Sequence, residues 1–352
     1  MSSISDISVI LANFNHSKFV GLALHALISQ IPAPAEIIIV DDASTDDSLA
    51  IIRRIAAGNS SIRLIENSEN VGVIRAQKIA LEVATGRHIY FAASDDWVIP
   101  GFFALAMQML ANHPQAGFFC GDVILVEGES SRDVGYRPVA RPFYRAGAAS
   151  AEEARTILRR FDNWILTSST ILRRDAFDAA GGLDESCGSF ADGYVLRKIA
   201  VTRGFCYAPQ VVAAWRIFSS GVSRQTALNP ERAKEFLQTI PAKISNDPAF
   251  PTWYPRLFRR RWQFATSRVA IETNPVNYAV LDAMASNSSL DAWMLKRIRS
   301  ILARVPSLER TVTLAWLSLR LRPYPLSGLI ASKLSRWWQH NNQAGDGQRA
   351  DL

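Results

Sequence analysis

The chain has 352 residues, of which 48% are hydrophobic and 20% are charged, and its net charge is +7. This balance predicts a folded protein with a sizeable core and excludes intrinsic disorder as its class. The three cysteines, Cys120, Cys187 and Cys206, lack CxxC spacing and histidine companions, which excludes a disulfide framework and a zinc knuckle and favours a reducing cytoplasm.

The start of the chain and its apolar runs indicate a protein without a membrane span. Residues 1–6 lack the basic start and the apolar core of a signal peptide. No apolar run reaches the roughly 18 residues that a spanning helix needs. We therefore expect a cytoplasmic protein, soluble or peripheral at the inner face of the cell membrane.

Short β-branched runs alternate with longer amphipathic stretches over the first 92 residues. The runs predict strands at residues 7–12, 37–40, 62–65 and 89–92. The stretches predict helices at residues 18–29, 46–57 and 73–85. This order predicts an α/β fold with a Rossmann-like, mostly parallel sheet flanked by helices. Ligands bind such sheets beyond the carboxyl ends of the strands.

The middle of the chain contains both predicted helices and predicted strands. Helices are predicted at residues 102–112, 152–161 and 192–202. Strands are predicted at residues 117–126, 164–172, 206–208 and 211–215. The segment 127–148 has no clear periodicity, and we leave it unassigned.

The β signals stop near Ser223, which predicts a domain boundary there. Residues 1–223 form the predicted α/β domain, residues 224–340 a helical C-terminal region, and residues 341–352 a disordered tail. Residues 253–339 contain 14 Lys/Arg against 4 Asp/Glu, a local balance of +10. Two interpretations stay open: solvated helix faces, or a surface that meets anionic lipid or an acidic glycan. We expect no nucleic-acid partner.

Two acidic pairs directly follow predicted strands: Asp41-Asp42 and Asp95-Asp96. Four carboxylates at neighbouring strand ends repel one another unless a cation or a ligand's hydrogen-bond donors lie between them. The pattern therefore predicts a binding site. The alternative for each aspartate is a helix cap or an Asx turn.

The strand ends carry extended motifs. Residues 9–15 read VILANFN, residues 36–46 read EIIIVDDASTD, residues 70–73 read NVGV, and residues 93–96 read ASDD. Over residues 7–223 these strings resemble the inverting glycosyltransferases of family 2, which have the GT-A fold. The matching family patterns are V-I-x-P-T-Y-N, E-I-I-V-V-D-D-G-S-T-D, N-x-G-V and D-x-D-D.

The resemblance implies a nucleotide-diphosphate sugar as donor and Mn²⁺ or Mg²⁺ as cofactor. Both cations prefer oxygen ligands, and Asp95 and Asp96 are the metal candidates. The candidates for binding the donor are Asn13, Asn15, Asp41, Asp42, Arg75, Ser94, Asp95 and Arg216. Asp42 is assigned to the base or the ribose and Arg216 to the diphosphate.

For some of the residues that are candidates for binding the sugar donor, a purely structural role is the alternative. Asn13 and Asn15 also suit turns, and Arg75 also suits an ion pair or an exposed helix surface. Asp46 is interpreted as the cap of the following helix. Trp164 and Trp215 are candidates for stacking on sugar rings, although large aromatic residues more often lie in the core.

Inverting transfer needs one general base, for which a carboxylate suffices. Asp192 follows the Gly181-Gly182 turn where the family places its catalytic carboxylate, and an ordinary helix cap is the alternative. The chain departs from the family pattern at three positions: Ala93 and Ala191 replace acidic residues, and Phe218 replaces a histidine.

We thus predict a metal-dependent, inverting, hexosyltransferase-like enzyme. It moves a sugar, with UDP as the favoured carrier, to a hydroxyl of a saccharide or lipid-linked saccharide in surface polysaccharide biosynthesis. The partners left open are an anionic membrane surface and a second copy of the chain. The alternative functions are a catalytically degenerate subunit that binds nucleotide sugars and a sugar nucleotidyltransferase. The latter is disfavoured because residues 13–19 lack the glycines of a phosphate loop.

Overall fold

The computed structural model describes residues 5–218, 221–286 and 288–343. The strands are β1 (Ile7–Asn13), β2 (Glu36–Asp41), β3 (Ile62–Glu66), β4 (His88–Ala93), β5 (Trp97–Val98), β6 (Phe118–Glu127), β7 (Asp133–Tyr136), β8 (Gly147–Ala149), β9 (Thr170–Arg173) and β10 (Phe205–Ile217). The first helices are α1 (Val20–Ile28), α2 (Ser48–Ala57), α3 (Val73–Val83), α4 (Phe102–Asn112), α5 (Ala151–Arg160), α6 (Arg174–Ala179) and α7 (Ala191–Arg203). The later helices are α8 (Val222–Leu228), α9 (Pro230–Asn246), α10 (Tyr254–Glu272), α11 (Tyr278–Ala285), α12 (Ser289–Leu302), α13 (Pro306–Leu321) and α14 (Leu326–Gln343).

The ten strands in the described part of the chain form one sheet, whose main path has the order β3-β2-β1-β4-β9-β6-β10-β5. The first four strands pair in parallel. Strand β9 is antiparallel to both β4 and β6, and β10 is parallel to β6. The strands β1 to β4, β6 and β10 therefore all point the same way, and their carboxyl ends meet at one edge of the sheet. This architecture confirms the predicted α/β fold class.

The sheet is stabilised by burial of its β-branched strands. Ile7, Val9 and Leu11 of β1 and Ile37 and Ile39 of β2 are fully buried and pack with α1 and α4 in one apolar cluster. Full burial of each such side chain contributes about 1.5–3 kcal/mol. Strands covered on both sides read as continuous apolar runs, which is why the sequence predicts this half of the sheet well.

Several predicted elements differ from the observed ones. The two strands expected at residues 206–208 and 211–215 are one strand, β10, because the chain stays paired with β6 through register shifts between Ala208 and Ala213. The strand expected at residues 164–172 is a short 3-10 helix, Thr167–Ser169, followed by β9. The unassigned segment 127–148 contains β7 and the start of β8.

The chain divides into two compact units. The first comprises the residues up to Ile217 together with those from Ser327 onward, and the second is Phe218–Leu326. The predicted helical region 224–340 is thus split, because the final helix groups with the sheet. In the second unit, helices α9 to α13 share their own apolar cluster, which includes Leu237, Val280 and Leu317.

The final helix α14 joins the first unit through a buried charged cluster. Asp122 on β6 accepts a hydrogen bond from Arg141 Nε at 2.7 Å and pairs with Arg336 of α14 at 3.5 Å. Ser332 of α14 accepts a hydrogen bond from the backbone N–H of Arg141 at 2.9 Å. Polar contacts such as these leave no apolar periodicity, so the sequence did not indicate where this helix packs.

The last part of the chain bears on two further expectations. Of the predicted disordered tail, residues 341–343 continue α14, and residues 344–352 lie outside the described residues. None of the described helices combines the length and the apolar character that a membrane crossing requires.

Candidate active site

The carboxyl ends of β1 and β2 are tied together by short hydrogen bonds. Asn13 lies opposite Asp41 in the sheet register, and its Nδ2 donates to Asp41 Oδ2 at 2.8 Å. Asp41 also accepts from the backbone N–H and the hydroxyl of Ser44, at 2.9 and 2.8 Å. Asn15, with φ of 56°, accepts from the backbone N–H of Thr45 at 2.8 Å. These hydrogen bonds fix the side chains at this edge of the sheet, and the predicted role of Asn13, Asn15 and Asp41 in binding the donor stays a prediction.

Asp42 holds the loop that leads into α3. Its carboxylate accepts from Asn67 Nδ2 at 2.7 Å and from the backbone N–H groups of Val71 and Gly72 at 3.0 and 2.8 Å. The hydrogen-bond donors that offset the negative charges of Asp41 and Asp42 therefore belong to the protein itself. A carboxylate has about four acceptor positions, so Asp42 keeps some capacity for a ligand. Its predicted role in recognising the base or ribose stays a prediction.

Asp46 connects the loop after β1 with the start of α2. Its two oxygens accept from the backbone N–H groups of Ser17 and Ser48 at 2.9 and 3.0 Å. The cap position itself is Asp47, whose side chain makes no capping hydrogen bond, so the interpretation of Asp46 as the cap was one residue off. Partial burial acts to raise the pKa of Asp46, but the hydrogen bonds from Ser48 and Ser17 outweigh it and lower the pKa to about 2.

Substituting Asp46 tests this local arrangement. Because the folded-state pKa lies below the ordinary 3.8, the carboxylate contributes stability that is present above about pH 4 and is lost as the pH falls through about 2. We expect Asp46→Asn to lower the free energy of unfolding by about 1 kcal/mol near pH 7, a figure already reduced for solvent screening. Urea denaturation of both proteins should show this difference shrinking near pH 3, whereas an unchanged difference would contradict the assigned ionisation.

The second acidic pair lies just beyond β4, at the same edge of the sheet. Asp96 is buried, and its Oδ1 accepts from the backbone N–H of Arg216 at 2.7 Å. Burial, and then the neighbouring Asp95 carboxylate, raise the pKa of Asp96 well above its ordinary value. Asp95 is half-buried, and among the described residues no donor reaches its carboxylate.

The guanidinium of Arg216 packs against this pair. It lies over the rings of Phe19 and Trp97, with its Cζ 4.3 and 5.3 Å from their centroids. Its Nε donates to the backbone oxygen of Asp95 at 2.9 Å, and its Nη1 donates to Ser131 Oγ at 2.8 Å. Its Nη2 is buried and has no acceptor within the described part of the chain. A buried N–H group without a partner is uncommon in folded proteins.

One residue that the sequence did not indicate also lies at this edge. His16, in the loop after β1, has its Nδ1 2.5 Å from the hydroxyl of Ser94. Ser94 itself is buried next to Ala93, whose backbone pairs with Ala12 of β1. A histidine shortly after a strand end was the available signal.

Asp192 opens α7 as expected, and its carboxylate is held by two donors. The Thr167 hydroxyl donates to its Oδ2, and the backbone N–H of Gly193 donates to its Oδ1 at 2.6 Å. Thr167 belongs to the 3-10 helix that precedes β9. In the same helix, the backbone oxygen of Ser168 accepts a hydrogen bond from the hydroxyl of Tyr90 on β4 at 2.9 Å. The side chain of Asp192 is thereby tied to the strand whose end carries Ser94, Asp95 and Asp96.

The remaining candidates lie in different surroundings. Arg75 of α3 is largely exposed and forms an ion pair with Glu185 at 2.9 Å, which is the alternative foreseen for it. Trp164 is buried 4.4 Å from the ring centroid of Phe205, so it is a core residue and the sugar-stacking hypothesis was wrong for it. Trp215 is half-buried under the guanidinium of Arg137 at 5.4 Å.

The sequence matches one family model, and two of its relatives are named as glycosyltransferases. Residues 8–178 match the model described as glycosyl transferase family 2. A β-1,3-glucosyltransferase of Escherichia coli, WfaP, named as acting from UDP-Glc on α-D-GlcNAc-diphosphoundecaprenol, is 40% identical over 26% of this chain and 36% of its own. The putative teichuronic acid biosynthesis glycosyltransferase TuaG of Bacillus subtilis is 34% identical over the same shares. These matches span about a third of each relative's length.

Solved structures resemble the chain over most of its length. The crystal structure of Staphylococcus aureus TarS 1–349 in complex with UDP-GlcNAc has a TM-score of 0.59 at 17% identity, covering 88% of this chain and 91% of that one. The mannosyltransferase of Pyrobaculum calidifontis in complex with GDP-Man and Mn²⁺ has a TM-score of 0.55 at 22% identity, covering 95% and 87%. At these identities the likeness establishes the fold.

Proposed function

Because this chain carries a glycosyl transferase family 2 domain on a GT-A fold, we propose that it transfers a sugar from a nucleotide-diphosphate donor to a hydroxyl of a saccharide acceptor. TarS was solved with UDP-GlcNAc and the mannosyltransferase with GDP-Man, which supports a donor of this class. Within that class we propose a uridine diphosphate sugar, because TarS was solved with UDP-GlcNAc and WfaP is named as using UDP-Glc.

One observation carries the proposal. At the carboxyl edge of the sheet, the Asp95 carboxylate has no donor and the buried Arg216 Nη2 has no acceptor among the described residues. A diphosphate supplies acceptor oxygens for the guanidinium and, through a shared cation, a counterpart for the carboxylate. A buried N–H group with a purely structural role normally has an acceptor, and the half-buried Asp95 carboxylate is accessible to a ligand.

The residues present fit a hard divalent cation shared with a ligand. Among the described residues no cluster of three or more His, Cys, Asp or Glu side chains is arranged to hold a metal, so the proposed site uses two carboxylates, Asp95 and Asp96, with the remaining ligands from outside the protein. One or two carboxylates completed by phosphate oxygens and water is the usual binding mode of Mg²⁺. We propose that Asp95 and Asp96 hold Mg²⁺ or Mn²⁺, which when bound neutralises charge on the diphosphate.

Asp192 is the proposed general base. Its carboxylate takes the proton of the acceptor hydroxyl while that oxygen forms a bond to the anomeric carbon. The bond from that carbon to the phosphate oxygen breaks on the opposite face, and the nucleoside diphosphate leaves with the electron pair. One displacement of this kind inverts the anomeric configuration. Thr167 and Gly193 orient the carboxylate by their hydrogen bonds.

The proposed acceptor is a lipid-linked saccharide of a surface polysaccharide, used at the inner face of the cell membrane. The printed names of WfaP, with its diphosphoundecaprenol acceptor, and of TuaG, with teichuronic acid, support this acceptor class. The local charge of +10 over residues 253–339 supports a peripheral position beside anionic lipid.

A second candidate function, binding of a nucleotide sugar without turnover, is favoured by one specific observation. Ala93 and Ala191 stand where the family has acidic residues, so two carboxylates are missing from the site. The two functions differ in whether the donor is consumed. The sugar nucleotidyltransferase alternative has no support from the family match.

Product analysis tests the proposed function. The purified protein is incubated with a uridine diphosphate sugar, Mn²⁺ and a lipid-linked saccharide, and the new linkage is assigned by proton NMR. We expect release of UDP together with a product of inverted anomeric configuration. Retained configuration would contradict the assignment of Asp192 as a single base, and donor binding without release of UDP would favour the binding subunit.

A further inference from the structure

Helix α12 in the second unit carries an exposed apolar face. Leu290, Trp293, Arg297 and Ile301 follow one another at spacings of three, four and four residues, which places them on one side of the helix. Trp293 is 53% exposed and Ile301 is 74% exposed. Large apolar side chains grouped in this way on a surface usually mark a contact with another molecule.

The opposite side of the same helix is already used. Asp291, Leu295 and Ile298 are buried, and Leu295 belongs to the apolar cluster of the second unit. Beyond α12, Val305 and Leu308 are also exposed, at 47% and 48%. The exposed face is therefore an additional surface and not part of the core of this unit.

The exposed charged side chains of the segment 290–309 are all positive. Lys296, Arg297 and Arg304 are exposed, and the Cζ of Arg297 lies 5.6 Å from the centroid of the Trp293 ring. The acidic residues between positions 290 and 309 are Asp291 and Glu309. Both are buried; Asp291 pairs with Arg320 at 3.3 Å, and Glu309 accepts from the hydroxyl of Tyr278.

We propose that this α12 face, defined by Leu290, Trp293, Lys296, Arg297 and Ile301, lies on an anionic lipid membrane. Tryptophan and aliphatic side chains flanked by lysine and arginine are typical of helices that lie in the interface between lipid headgroups and acyl chains. The positive charges complement an anionic leaflet. A second copy of the chain would bring like charges together, which disfavours self-association through this face.

This inference deepens the peripheral membrane location that belongs to the proposed function. It does not require that the protein transfer a sugar. Binding of vesicles and binding of a nucleotide are separate measurements, so either proposal can fail while the other stands.

Vesicle sedimentation tests the inference. The full chain is mixed with vesicles of phosphatidylcholine alone or with about 30% phosphatidylglycerol, at low and at high salt. The test variants are Trp293→Ser/Ile301→Ser and Lys296→Gln/Arg297→Gln. The matched control is Leu22→Ser/Val134→Ser, which removes two exposed apolar side chains from the first unit.

We expect the wild type and the control to bind anionic vesicles, less so at high salt, and each test variant to have a partition coefficient about tenfold lower. Equal binding by the test variants and the wild type would overturn the inference, as would equal binding to neutral and anionic vesicles. A dimer that the Trp293→Ser/Ile301→Ser variant converts to a monomer, without vesicle binding by the wild type, would assign the face to a second copy. Circular dichroism checks that all variants are folded.

Discussion

Asp192→Asn is expected to lower kcat by about 10²- to 10⁴-fold, which is the usual contribution of a general base. The amide is nearly the same shape as the carboxylate. Its oxygen can accept from the backbone N–H of Gly193 while its NH2 group donates to the Thr167 hydroxyl, so α7 should keep its start. It cannot take a proton at neutral pH. The affinity for the donor should stay within about twofold, because the lost interaction is made only in the transition state.

The control for this experiment is Asp184→Asn. Asp184 accepts hydrogen bonds from Ser186 in the 3-10 segment Glu185–Phe190 before α7, so it is a nearby carboxylate with a capping duty. Its substitution should leave kcat within about threefold. If Asp192→Asn and Asp184→Asn lower kcat equally, Asp192 is a structural cap and the base must be sought elsewhere.

Asp122→Ala is expected to lower the free energy of unfolding by about 3–5 kcal/mol. Asp122 and Arg141 are 5% and 1% exposed, so the substitution leaves a buried guanidinium without its counter-charge. It also removes the acceptor of the Tyr207 hydroxyl and the partner of Arg336 on α14. Chemical denaturation of the two proteins measures the difference.

Two further substitutions give smaller expected losses of unfolding free energy, with which the loss for Asp122→Ala can be compared. Tyr207→Phe removes one hydrogen bond to Asp122 and should cost about 1 kcal/mol. Glu66→Ala breaks the exposed ion pair with Arg53, which is 58% exposed, and should cost less than about 1 kcal/mol. If Asp122→Ala costs no more than Glu66→Ala, the buried cluster does not hold α14 to the sheet.

The sequence predicted the elements that are fixed by local pattern. Strands β1 to β4 and helix α4 lie within two residues of their expected bounds, because their apolar runs and breaks are unambiguous. The acidic pairs were found from the ends of these strands, since parallel strands bring their carboxyl ends to one edge, whereas Arg216 was indicated by the family resemblance. That Asp96, Arg216 and Asp95 are in contact is consistent with this prediction.

The sequence could not predict contacts between residues far apart along the chain. His16 meets Ser94 across 78 positions, and Arg141 meets Ser332 across 191. Neither pair leaves a periodic signal, because a single polar side chain has no pattern of its own. The continuity of β10 depends in the same way on its pairing with β6, which carries the strand past Pro209.

Calorimetric titration with nucleoside diphosphates tests the central claim most directly, because it needs neither the acceptor nor the sugar. UDP, GDP, dTDP, CDP and ADP are titrated with Mn²⁺ and then with EDTA into the wild type and Asp95→Ala/Asp96→Ala. Asp175→Ala/Asp178→Ala, which removes two exposed carboxylates of α6, is the control. We predict that one nucleotide, UDP, binds the wild type and the control with metal only, and that the Asp95/Asp96 variant loses it. If no nucleotide binds the wild type under either condition, the acidic strand ends are structural and the account of a donor site is wrong.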